Sequence, residues 1–182
     1  MARVTSRIRA AWQRAWAHAC LAAAITTPLD ASVVILGVPE VHGTGRITLG
    51  RNLYLYRDLY LETQAGGEIS IGADAVMSRG VHVVAFDRIS IGEGTMIGEY
   101  TSLRDANHIV DERLPLRQSG HSARAIVIGR NVWIGRGVTI LGGVTIGDGA
   151  VIGANAVVTH NIPAGAVAAG VPARLLQPRA VA

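Results

Sequence analysis

The sequence predicts an all-β solenoid: a parallel β-helix of about five to six turns, with one N-terminal helix and one long loop after the third turn. Three observations carry that prediction. From Ile128 an aliphatic residue returns at every sixth position, through Ile134, Ile140, Ile146 and Ile152 to Val158. Small or β-branched residues keep the same period four places later, at Val132, Val138, Val144, Ala150, Ala156 and Ile162. Glycine directly follows four of the anchors, at Gly129, Gly135, Gly147 and Gly153. A period of six is neither the helical period of about 3.6 nor simple strand alternation. It fits short strands joined by tight corners, where residues that tolerate positive φ and close backbone approach are needed.

Three hexapeptides make one turn of eighteen residues, and the register can be followed upstream. Its anchors are Leu49, Leu55 and Leu61; Ile71, Met77 and Val83; Ile91, Ile97 and Leu103; Ile128, Ile134 and Ile140; then Ile146, Ile152 and Val158. The turn starts at 49, 71, 91, 128 and 146 differ by 22, 20, 37 and 18 residues, which exceed eighteen by 4, 2, 19 and 0. The chain therefore contains two small bulges and one large excursion after Leu103. Successive turns stack about 4.8 Å apart as parallel strands, and each end of such a stack needs a cap.

Ahead of the repeats, residues 1–30 form a helical extension. Ile8, Trp12, Ala15, Trp16 and Ala19 share one face of the helix read over residues 3–25, and Thr27-Pro28 ends it. Two roles fit it: a cap on the open end of the stack, or a basic, tryptophan-bearing helix lying on a membrane surface. No apolar run approaches the ~20 residues that span a bilayer. Residues 31–48 read as an irregular lead-in to a repeat domain covering 31–176. In the first turn Tyr54, Tyr56 and Tyr60 alternate outward, as a flat surface suited to a subunit interface. Residues 177–182 are a C-terminal tail.

Composition excludes several function classes. All 17 basic residues are Arg, so no lysine chemistry is available. The net charge of +4 belongs to Arg3, Arg7, Arg9 and Arg14, which precede the first acid, Asp30; beyond residue 29, 13 Arg face 13 Asp and Glu. A balanced body does not point to a nucleic-acid partner. The lone Cys20 forms no internal disulfide, and the chain has no G-x-S-x-G elbow, so an acyl-enzyme has no evident nucleophile.

Function is expected at the excursion. A long polar loop, 109–127, leaves a rigid stack directly after Asp105, Asn107 and His108, and such loops are where binding and catalysis concentrate. His82 and Asp87 flank the small bulge one turn earlier.

The motifs Val132-Trp133-Ile134-Gly135, Val144-Thr145-Ile146-Gly147, Val157-Val158-Thr159 and Ala168-Ala169-Gly170-Val171-Pro172-Ala173-Arg174 resemble those of the hexapeptide-repeat acyltransferases, in particular the galactoside and maltose acetyltransferase branch and the polysaccharide O-acetyltransferases. The resemblance implies a left-handed β-helix, a homotrimer, acetyl-CoA in the cleft between neighbouring subunits, a carbohydrate hydroxyl as acceptor and no metal. It makes His108 the general base, since an imidazole titrating near neutrality suits removal of a hydroxyl proton during attack on a thioester. Asp105, Asp111 or Glu112 could orient that imidazole. Asn107, Asp105, His82 and Asp87 become acceptor-site residues. For the cofactor, the backbone at Arg136 meets the thioester carbonyl, Ala154, Thr159 and His160 line the pantetheine arm, and Arg174 lies at the nucleotide end. Trp133 packs beside the cofactor or at the subunit seam. His160 stands where the family commonly has Lys.

Other readings are an N-acetyltransferase acting on an amino sugar, a xenobiotic acetyltransferase, a zinc enzyme of the carbonic-anhydrase branch, and a scaffold without catalysis. Against the zinc enzyme, His82 and His108 fall on different sides of the prism, and His108 and His121, thirteen residues apart, offer no close pair. The expected location is the cytoplasm, at the inner face of the membrane if the helix binds lipid.

Overall fold

The computed structural model describes residues 2–64 and 66–176, with side chains from Arg9 onward. The predicted tail, 177–182, and the side chain of Ile8 lie outside the described residues. The chain winds into a three-faced parallel solenoid with six complete coils and a seventh begun. Face A stacks Val34–Ile35, Tyr54–Leu55, Val76–Met77, Met96–Ile97, Trp133–Ile134, Val151–Ile152 and Val167–Ala169. Face B stacks Glu40–Gly43, Tyr60–Thr63, His82–Ala85, Ser102–Arg104, Thr139–Leu141 and Val157–Val158. Face C stacks Ile47–Leu49, Glu68–Ile71, Arg88–Ile91, Ile126–Ile128 and Thr145–Ile146, and the bridge from Ile146 to Ile162 extends it.

Register explains why the period is six. The inward residues of face A are Ile35, Leu55, Met77, Ile97, Ile134, Ile152 and Ala168, all buried and paired coil to coil. From face A to face B the inward residues are always six apart, from 35 to 41 through 152 to 158. From face C to the next face A they are again always six apart, from 49 to 55 through 162 to 168. All irregularity sits at the corner between faces B and C. There the steps are 41 to 49, 61 to 71, 83 to 91, 103 to 128, 140 to 146 and 158 to 162, which depart from six by 2, 4, 2, 19, 0 and −2. The corners turn through left-handed residues such as Asn52, Asp74, Asn131 and Asn155, side chains that tolerate this region. Tyr100, at φ 58°, is a bulky exception.

Residues 31–48 are not an irregular lead-in. They form coil 1, hidden in the sequence because Leu49 follows Val41 by eight residues, and a left-handed Gly43 lies between them. The 19-residue excursion leaves coils 4 and 5 joined by buried threonines. Thr95 Oγ1 donates to the Gly129 carbonyl at 2.8 Å and accepts from the Val132 N–H at 3.1 Å. Thr101 does the same with Gly135 and Val138 at 3.0 and 3.2 Å. These bonds satisfy backbone groups that would otherwise be buried unpaired.

The helix Ala2–Ala24 caps coil 1, but not with the expected face. Ala17, Leu21 and Ile25, spaced by four, enter the core, whereas Trp12 and Trp16 are 74% and 69% exposed. The tyrosines also divide. Tyr54 and Tyr56 pair at 5.3 Å beside face A, while Tyr60 lies on face B. The flat apolar surface is instead the outward row of face A: Val34, Tyr54, Val76, Met96, Trp133, Val151 and Val167 in continuous register.

Candidate active site

The excursion opens at the B–C corner of coil 4. Asp105 is only 1% exposed and turns back toward coil 3, where its carboxylate accepts the backbone N–H groups of Phe86 and Asp87, both at 2.8 Å. It is a strut for the neighbouring corner. It neither orients His108 nor is free to contact an acceptor, because a buried carboxylate needs those donors. Asp111 is engaged by Arg113, through its backbone N–H and guanidinium at 2.9 Å, which holds the carboxyl below its ordinary range. Glu112 is exposed, and among the described residues no carboxylate hydrogen-bonds to His108.

What faces His108 is another imidazole. Ala106–His108 and His121–Ala123 pair as an antiparallel hairpin that sets Asn107 opposite Ser122 and His108 opposite His121. The two rings lie 4.2 Å apart between centroids. The expectation that these histidines form no close pair is therefore overturned: separation along the chain is cancelled by the hairpin. Phe86, the single phenylalanine, packs at a tilt against His121 with ring centroids 4.6 Å apart, and the Arg104 guanidinium sits 5.6 Å from the Phe86 ring. Partial desolvation lowers the His121 pKa, and the neighbouring His108 and Arg104 lower it further. Asn107, His108 and Asp87 are exposed at this corner. His121, Phe86 and Arg104 are the members that sequence reading missed, and the Gly120 turn before His121 was the one available sign of the hairpin.

His82 is not among them. It opens the face-B strand whose far end leads to Phe86, about 13 Å of extended chain away. There it stacks on Tyr60 at 4.3 Å, and Tyr60 stacks on His42 at 5.0 Å. The Tyr60 hydroxyl and the Gln64 amide each donate to Glu62 at 2.6 Å. These bonds hold the Glu62 carboxyl low and raise the Tyr60 phenol, while burial lowers His82.

The cofactor candidates divide between two edges of the prism. Trp133, Arg136 and Ala154 line one groove of about 420 Å³ at the A–B corner, together with Met96, Gly98 and Gly153. Gly98 is required there, since a Cβ would lie 2.6 Å from the Arg136 nitrogen. The Arg136 side chain is parked over the Tyr100 ring at 5.7 Å, which leaves its backbone at the groove. Arg174 lies further along the same face, paired with Ala169. Thr159 and His160 are elsewhere, on the B–C edge two coils beyond His108, with Thr159 Oγ1 at 2.8 Å from His160 Nδ1. Within one chain face B separates the groove from His108. Among the described residues no three His, Cys, Asp or Glu side chains converge as metal ligands.

Comparison with known proteins gives a consistent result. Residues 125–160 match the bacterial transferase hexapeptide (six repeats) family. The chain is 32% identical over 145 residues to WbbJ of Escherichia coli (strain K12), named for an O-acetyl transferase role in lipopolysaccharide biosynthesis; the match covers 75% of this chain and 74% of that protein. It is 45% identical over 111 residues to Nodulation protein L of Rhizobium meliloti (strain 1021), where the match spans 60% of each protein. The crystal structure of a maltose O-acetyltransferase from Clostridium difficile 630 superposes with a TM-score of 0.60 at 26% identity, covering 92% of this chain and 86% of that one.

Proposed function

The chain belongs to the bacterial hexapeptide transferase family, and from that premise we propose that it is an acetyl-CoA-dependent O-acetyltransferase acting on a carbohydrate hydroxyl, with His108 as general base. The observation that carries this reading is the placement of Asn107 and His108, exposed beside an aromatic and cationic wall, where the longest insertion leaves the stack. In the reaction the acceptor hydroxyl oxygen attacks the thioester carbonyl while the free His108 nitrogen takes its proton. The C–S bond then breaks, and the imidazolium returns the proton to the CoA thiolate. The Arg136 N–H has no backbone acceptor among the described residues and is the donor for the oxyanion.

We also propose that the active form is a homotrimer. The support is geometric. The A–B groove and the His108 corner are on different edges of one chain, so one ligand reaches both only where the groove edge of one copy meets the His108 edge of the next. The apolar outward row of face A, with Trp133 61% exposed and Met96 52% exposed, is a surface that association would cover.

The test is thiol release from acetyl-CoA across a panel of sugars, glycans and amino sugars, for wild type and His108→Ala. Turnover with a hydroxyl acceptor that drops at least ~100-fold in the variant supports the reading. Full activity of the variant removes His108 as base, and turnover only with amino sugars makes the enzyme an N-acetyltransferase. No turnover, together with no acetyl-CoA binding by calorimetry, leaves a non-catalytic scaffold.

A further inference from the structure

The capping helix has two unlike halves. Its C-terminal half is packed, with Ala17, Leu21 and Ile25 sealing the stack. Every side chain from Arg9 to Trp16 is exposed. At about 100° per residue, Arg9, Trp12 and Trp16 fall within an arc of about 60°, centred about 150° from Leu21. The two tryptophans therefore lie on the side of the helix away from its buried stripe, both largely exposed. Val38, itself 48% exposed, and Arg57 continue the patch alongside Trp16, and Asp58, the acid that borders it, is neutralised by Arg79 at 2.7 Å.

Charge identifies the occupant. The first acid in the chain is Asp30, and the four arginines before it account for the whole excess of +4. An indole pair flanked by a guanidinium, on a helix without acids, matches a headgroup layer, where the rings enter the acyl boundary and the cation stays at the phosphates. No described helix is long and apolar enough to cross a bilayer. We propose that the Arg9–Trp16 face seats this protein on an anionic lipid surface, with the solenoid standing off the membrane from its capped end.

Resting on the transferase reading, the height of the site then names the acceptor more closely. His108 leaves coil 4, three coil steps from coil 1, or about 14 Å at the usual strand spacing. The acceptor is a saccharide carried on a lipid and modified a few sugar units out from the bilayer. Side-by-side packing of copies would place several such helices at one end, so that weak individual contacts act together.

The experiment is density-gradient flotation of the full-length protein with phosphatidylcholine vesicles and with 3:1 phosphatidylcholine:phosphatidylglycerol vesicles. Wild type is expected to float with the anionic vesicles only and to be released by 0.5 M salt. Trp12→Ala/Trp16→Ala and Arg9→Gln should each weaken partitioning by about tenfold or more, with melting temperatures unchanged because these side chains are exposed. Equal flotation of the double tryptophan variant overturns the proposal, as does absence of wild-type flotation. If wild type does not float and the double variant has a lower sedimentation-equilibrium mass, the face is a contact between copies instead. His108→Ala should float like wild type, so loss of acetyl transfer and loss of lipid binding are read separately. As an independent measure, anionic vesicles should blue-shift wild-type tryptophan emission and protect it from acrylamide; an unchanged spectrum also overturns the proposal.

Discussion

Replacing Asp105 by Ala removes both acceptors from the Phe86 and Asp87 N–H groups and leaves those donors beneath the loop. A hydrogen bond to a charged group contributes about 1.5–3 kcal/mol, and a buried donor left unpaired keeps its desolvation cost. Two bonds at 2.8 Å thus set the loss at about 3–6 kcal/mol. For a chain of this size each kcal/mol shifts the melting temperature by about 2–4 °C, so Asp105→Ala should melt about 10 °C lower. Asp105→Asn keeps one acceptor oxygen but turns an NH2 toward the other donor, and about half of the loss is expected. Because Phe86 packs on His121, both variants should also turn over more slowly at saturating substrates. Scanning calorimetry with a parallel thiol-release assay makes the measurement. An Ala variant melting within about 1 °C of wild type, or Ala and Asn variants that melt together, would refute the strut.

Other outcomes follow from separate parts of the molecule. Tyr100 holds a left-handed conformation that disfavours bulky side chains, so Tyr100→Asn should raise the unfolding free energy by about 1 kcal/mol; it also frees Arg136, and the KM for acetyl-CoA should rise. At Gly43, at φ +82°, a Cβ would lie 1.9 Å from the Thr63 carbonyl oxygen, so Gly43→Ala should cost about 2–4 kcal/mol, read from the urea midpoint. Burial lowers the His82 pKa, so the unfolded chain binds the proton first as pH falls. The stability linked to His82 is complete above about pH 6.5 and is lost as pH falls toward the depressed folded value, and His82→Gln should flatten that part of a melting-temperature profile. Glu62 works in a lower window: its contribution holds above about pH 4.5 and disappears as the carboxylate protonates, and Glu62→Gln should reduce that acid-side slope.

Much of the fold was legible because inward residues on two of the three sides obey a fixed spacing that aliphatic residues mark plainly. Coil 1 was missed because its third anchor is displaced by two positions and only Ile35 and Val41 kept the rhythm. The helix face was misread for another reason. Tryptophan counts as apolar in a periodicity, yet the buried stripe uses the less conspicuous Ala17, Leu21 and Ile25. At the candidate site, His108 could be picked out by its position at the loop, but its partner could not. Pairing with His121 depends on a hairpin register set by the loop between them, which carries no repeat. Asp105 illustrates a similar limit: an acid next to a candidate base reads as its orienter, and only the side chain's direction shows that it serves the neighbouring corner.

The unequal corners have a practical consequence. Two edges of the prism behave as fixed-length joints, and the third accepts from two residues fewer to nineteen more than the repeat without disturbing the strands on either side. That edge is a natural graft point. Segments exchanged at the short B–C corners of coils 1 to 3 would project along the flank that carries His108, where they could reshape acceptor preference while the folding unit stays intact. Equal insertions at either of the other two corners would have to break the in-register ladders of the whole stack.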